Sequence, residues 1–135
     1  MTALILLGLC AWSLFLLLLL ITWRSLRVLG GKQAINTFST DGHEVSAANQ
    51  RLVRALANSL ENLPLSATIF LLAIASGHGE LLTPLAPLFL MARICQSLIH
   101  MLSISPVAVA LRFSAYTLQL GLLVYWITLL APHFL

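Results

Sequence analysis

Arg51-Leu-Val-Arg54-Ala-Leu-Ala-Asn58-Ser-Leu-Glu61-Asn62-Leu-Pro64 stands near the middle of a chain that is otherwise mostly apolar. Arg54, Asn58 and Glu61 are spaced i, i+4, i+7, and Arg51 lies one turn upstream, so on a helix the four side chains share one face. The stretch runs without a break into the apolar segment 63–74, which suits a membrane. An ionisable group carried into a bilayer on a helix costs roughly 2.5–3.5 kcal/mol on insertion scales. A polar face kept at that cost either locks helices together or holds a ligand.

The rest of the chain supports a membrane reading of this helix. Of its 135 residues, 60% are hydrophobic and 8% charged, with a mean hydropathy of +1.00. A soluble domain carries about 25% charged residues. The length allows a single domain, 1–135, of about four spanning helices at roughly 20 residues each. The net charge is +3, but no basic run is interleaved with aromatics, which argues against a nucleic-acid partner. Cys10 and Cys95 lie inside apolar runs and read as packed thiols rather than a disulfide. His43, His78 and His133 are isolated and show no metal-ligand spacing, so no metal is expected.

Helices are expected at about 3–23, 46–76, 84–101 and 107–131. The first run is uncharged, and Arg24, Arg27 and Lys32 follow it. The positive-inside rule then puts those three in the cytoplasm and both termini outside. Residues 24–45 form the longest polar connection, the one loop with the length to fold over a site. Ser46 is expected to cap helix 2, in competition with Asp41. Pro64 is expected to loosen helix 2 near Leu60. Pro84 and Pro87 suit the first turn of helix 3, and Tyr125-Trp126 the outer interface of helix 4.

Helix 3 carries Arg93, Gln96, Ser97 and His100, and helix 4 carries Arg112, Tyr116 and Gln119. The antiparallel topology sets these stripes at the same depth as Arg51–Glu61, in the cytoplasmic half. Several arginines with one carboxylate suit a small zwitterionic or polyanionic ligand, since arginine binds carboxylate or phosphate through a planar fork. Glu61 takes a ligand ammonium or holds an arginine. Arg93 pairs with Glu61 or lines the site. Arg112 acts on a ligand or snorkels to the interface. Gln96, His100 and Tyr116 read first as packing polars. The competing account is a polar lock between helices, at about 0.6–2 kcal/mol per contact.

Arg54, Ala55, Asn58, Glu61, Asn62 and Pro64, in the order Arg-Ala-x-x-Asn-x-x-Glu-Asn-x-Pro, resemble the helix-2 signature of the MAPEG family, the membrane-associated proteins in eicosanoid and glutathione metabolism. Ala92-Arg93-Ile94 and Arg112 add to the resemblance, which covers the whole chain and has a prokaryotic look. It implies an all-α, four-helix transmembrane bundle that forms a homotrimer. Glutathione, as co-substrate, is then expected in a cytoplasm-facing cleft between subunits, held by Arg51, Arg54, Asn58, Glu61 and Arg93. Arg112 matches the arginine that stabilises the glutathione thiolate in catalytic members. The implied activity is conjugation of that thiolate to a lipophilic electrophile from the bilayer. The implied location is the inner membrane of a bacterium or the endoplasmic reticulum of a eukaryote. Where the eicosanoid and microsomal transferase branches have helix-3 tyrosines, this sequence has Cys95 and His100. That departure keeps a second class open, a non-catalytic lipid- or ligand-binding scaffold on the same fold. A small transporter is a third class, with no inverted repeat in its favour.

Overall fold

A computed structural model describes residues 1–40 and 46–135. Four helices, α1 (Thr2–Leu29), α2 (Ala47–Ala75), α3 (Ala86–Leu102) and α4 (Pro106–Leu130), pack as a bundle. Short 3-10 turns at Gly79–Leu81 and Ala131–His133 are the other helical elements among the described residues. Three of the helices are long and apolar enough to cross a membrane. The 17 residues of α3 give about 26 Å at ~1.5 Å per residue, close to the hydrocarbon thickness of ~30 Å.

Helix ends follow local chemistry. α1 continues six residues beyond the expected stop at 23, because nothing from Arg24 to Leu29 breaks a helix. It ends where Gly31 takes φ +63°, a conformation open to glycine. The N–H groups of Gly31 and Lys32 return to the carbonyls of Val28 and Arg27 there. Ser46 caps α2 by accepting the Asn49 N–H at 3.1 Å; the competing Asp41 lies outside the described residues, as do His43 and Glu44. Ser105 caps α4 in the same way, with Pro106 opening the helix. α2 passes through Pro64 as one helix, with the Thr68 hydroxyl donating to the Pro64 carbonyl at 2.7 Å.

The interior has three levels. Towards the end that holds the α2–α3 connection, Phe70, Phe89 and Trp126 pack on one another with ring centroids 5.2–6.1 Å apart, among Ile5, Leu82 and Leu122. Towards the other end, Leu16, Leu20, Leu52 and Leu56 form a smaller apolar cluster. Between them lies a buried polar level of Ser13, Ser59, Asn62, Ser66, Arg93, Gln96, Ser97 and Gln119. Four of its serines hydrogen-bond to helix carbonyls or to each other, with Ser13 Oγ and Ser59 Oγ 3.0 Å apart across α1 and α2.

Two expectations are corrected here. Trp126 is fully buried in the aromatic cluster rather than lying at the interface, because it shares the inward face of α4 with Leu122, Leu123 and Leu130; its neighbour Tyr125 is exposed. Cys10 and Cys95 are free thiols on outward faces, not packed ones. The described part of the first loop lies against α1, where Arg24 donates to the Ser39 carbonyl at 3.2 Å and covers the Phe38 ring.

Truncating the aromatic cluster tests this packing. Trp126→Ala is expected to cost about 3–5 kcal/mol, as large-to-small core changes do. The change should be read as a fall in detergent thermal-denaturation midpoint, with Tyr125→Ala close to neutral.

Candidate functional site

An open cleft of about 230 Å³ sits where α2, α3 and α4 meet. Asn58 of α2, Gln96 and His100 of α3, and Arg112 and Tyr116 of α4 bring polar groups to it; Val109 and Phe113 add an apolar wall. Three polar stripes, each read on its own helix, thus meet at one depth. Arg54 and Arg112 lie within electrostatic reach of His100. A larger hollow of about 370 Å³ at Arg24, Val28 and Phe38 is mostly apolar and gathers none of the stripes, so it is not the candidate site.

The face on α2 divides in two. Arg51 and Asn58, seven residues apart, turn inward toward α3. Arg51 Nε donates to the Met101 carbonyl at 2.8 Å, tying α2 to the end of α3. Arg54 and Glu61, also seven apart, are exposed on the outside of the bundle. The two pairs differ by three residues, about 60° around a helix at ~100° per residue. That angle separates a residue that packs on α3 from one that does not. Glu61, which the sequence reading offers as an arginine's partner, therefore pairs with neither Arg54 nor Arg93 among the described residues.

Arg93 is 3% exposed and sits behind the cleft rather than on its wall. Its Nη1 donates to Asn58 Oδ1 at 2.9 Å and to the Asn58 carbonyl at 3.3 Å. Its Nη2 is buried and has no partner among the described residues. A similar contact joins the other side: Gln119 Nε2 donates to Gln96 Oε1 at 2.9 Å. Arg112 is half-buried and lines the cleft. Gln96, His100 and Tyr116, which read from sequence first as packing polars, line the cleft. Their place in the arginine-led stripes of α3 and α4 is the signal for it.

The bundle, its three membrane-length helices and its cleft define an integral membrane protein with a polar site built between helices. The chain belongs to the MAPEG family, whose family model matches residues 2–131. No curated protein and no solved structure matches it.

The Gln96–Gln119 contact is measurable. A double-mutant cycle with Gln96→Leu and Gln119→Leu is expected to give a coupling of about 0.6–1.7 kcal/mol in detergent unfolding, the range of hydrogen bonds between membrane helices.

Proposed function

We propose that this protein is a glutathione-dependent membrane enzyme, which binds glutathione at the cleft and adds its thiolate to a lipophilic electrophile. The observation that carries the reading is the meeting of Asn58, Gln96, His100, Arg112 and Tyr116 at one cleft, in a chain of the MAPEG family. Arg112 is the activating group. A thiol of pKa ~8.5 is mostly protonated at neutral pH, and an adjacent cation favours the nucleophilic thiolate. Asn58 and, in the assembled site, Arg54, Glu61 and Arg51 hold the peptide. Arg93 acts from behind Asn58. The apolar residues Val109 and Phe113 offer the electrophile a lipid-side approach.

The site is completed by a second copy of the chain, in a homotrimer. Two observations support assembly. The cleft's 230 Å³ falls below the ~300–1,000 Å³ of small-molecule pockets. Glu61 lies at the midpoint of the 29-residue α2 and faces outward, where lipid contact would cost several kcal/mol. A neighbouring subunit covers it and brings Arg54 and Glu61 to a shared site. Six of the seven Lys and Arg residues lie toward the α1–α2 and α3–α4 connections, and none toward the opposite end. By the positive-inside rule the cleft faces the cytoplasm and both termini lie outside, in a bacterial inner membrane or the endoplasmic reticulum.

Cys95 on an outward face and His100 at the cleft support the second reading, a non-catalytic lipid- or ligand-binding scaffold. Conjugates that form with the wild type and vanish with Arg112→Ala rule the scaffold out.

Glutathione titration of the detergent-solubilised protein of measured mass tests the first reading. Binding in the micromolar-to-millimolar range is expected, with a thiolate absorbance change. Arg54→Ala should weaken binding about 10-fold or more, by removing a charge-assisted contact. Arg112→Ala should lower conjugation roughly 100-fold, as loss of an electrostatic stabiliser does. A correctly folded oligomer that binds no glutathione at tens of millimolar sinks the proposal.

A further inference from the structure

Two amide side chains, Asn58 and Gln96, line the cleft. An amide accepts through its oxygen and donates through its nitrogen, so the way round it sits decides what it can recognise. Buried neighbours set that orientation for both. A guanidinium has N–H groups and no acceptor. Arg93 Nη1, 2.9 Å away, therefore takes the Asn58 oxygen and leaves the Asn58 nitrogen for the cleft. Gln119 does the same to Gln96. Gln119 Nε2 donates to the Ala115 carbonyl at 2.9 Å, and a carbonyl only accepts, so the position of that nitrogen is settled. The same Nε2 lies 2.9 Å from Gln96 Oε1, and the Gln96 nitrogen is left for the cleft. Both orienting residues are buried: Arg93 is 3% exposed and Gln119 0%.

Arg112, on α4, also only donates. His100 and Tyr116 adapt to either role. Among the described residues no carboxylate lines the cleft; Glu61 lies on the outside of α2.

We propose that Arg93 and Gln119 are positioning residues that turn the amide N–H groups of Asn58 and Gln96 into the cleft, so that this subsite selects a ligand carboxylate and excludes an ammonium. The inference rests on the glutathione reading and deepens it. One carboxylate of the tripeptide lies against the amide N–H groups of Asn58 and Gln96, Arg112 stays with the thiolate, and the ammonium lies elsewhere. Neither Arg93 nor Gln119 touches the ligand.

Ordinary interhelical packing uses the same contacts, so the test must separate packing from orientation. Asn58→Asp does so. It keeps an oxygen for Arg93 and turns a bond from a cation to a neutral amide into an ion pair, but it puts a second oxygen where the cleft had a nitrogen. Calorimetric titration of the full-length solubilised protein would use glutathione and its two monoamides, one at each carboxylate. The wild type is expected to prefer glutathione over one monoamide by about 10-fold or more, the worth of a hydrogen bond to a charged group. Asn58→Asp is expected to erase that preference without lowering thermal stability. Arg93→Met should reduce it, and Arg93→Lys, which keeps a donor, should restore it. Retention of the preference in Asn58→Asp, or an equal loss for all three ligands in Arg93→Met, overturns the proposal.

Hydrogen exchange of the 15N-labelled side-chain amides gives an answer without ligand. Slow exchange at Gln119 and fast exchange at Asn58 and Gln96 is expected, and the reverse order overturns the orientation. A wild type that binds none of the three ligands, yet shows the expected exchange order, removes the glutathione reading and leaves the donor-lined cleft standing.

Discussion

Arg93 Nη1 against Asn58 Oδ1, 2.9 Å apart, is the contact on which the polar level of this bundle depends. A guanidinium buried in a membrane protein must find acceptors within the protein, because lipid offers none. No carboxylate meets it here among the described residues. Its acceptors are the side-chain and backbone oxygens of one residue, so the position of α3 against α2 follows from where Asn58 sits. The remaining contacts run outward from that pair. Ser13 and Ser59 join α1 to α2, and Gln96 and Gln119 join α3 to α4. Each helix thus makes a polar contact with at least one neighbour at mid-depth, while apolar clusters fill the space above and below.

The same level forms the back wall of the cleft. Residues that lock helices together and residues that line a cleft are often treated as alternatives. In this protein they are successive layers. Arg93 and Gln119 are buried and donate to Asn58 and Gln96. Asn58 and Gln96 then face the cleft with what is left. A lock and a site need the same rigidity, because an amide free to turn over presents an acceptor as readily as a donor. The apolar parts of the site come from α4, where Val109 and Phe113 flank Arg112. The cleft therefore offers cation, donors and an oily wall within one small volume.

Much of this was legible in the sequence. Four helices, their approximate ends and the Ser46 cap follow from hydropathy and capping chemistry. The meeting of the stripes follows from period and direction: alternating helices bring the first half of α2 beside the last half of α3 and the first half of α4. The partner of Arg93 was not legible. Charge alone pairs it with Glu61, and Asn58 and Glu61 share a face at the resolution of i, i+3, i+4 spacing. The 60° between them is enough to send one toward α3 and the other outward. The place of Trp126 was not legible for a related reason. Its nearness to the helix end points to an interface, but its angle around α4, shared with Leu122 and Leu123, puts it in the core.

The sequence by itself determined the class of protein, because 60% hydrophobic residues in 135 leave little choice but a membrane bundle, and helical period plus alternating direction put the polar stripes at one level. Only the tertiary structure decided which atoms of those stripes face the cleft. That depends on the rotation of each helix about its own axis. Rotation is set by how side chains of three helices fill the space between them, and no single helix carries that information.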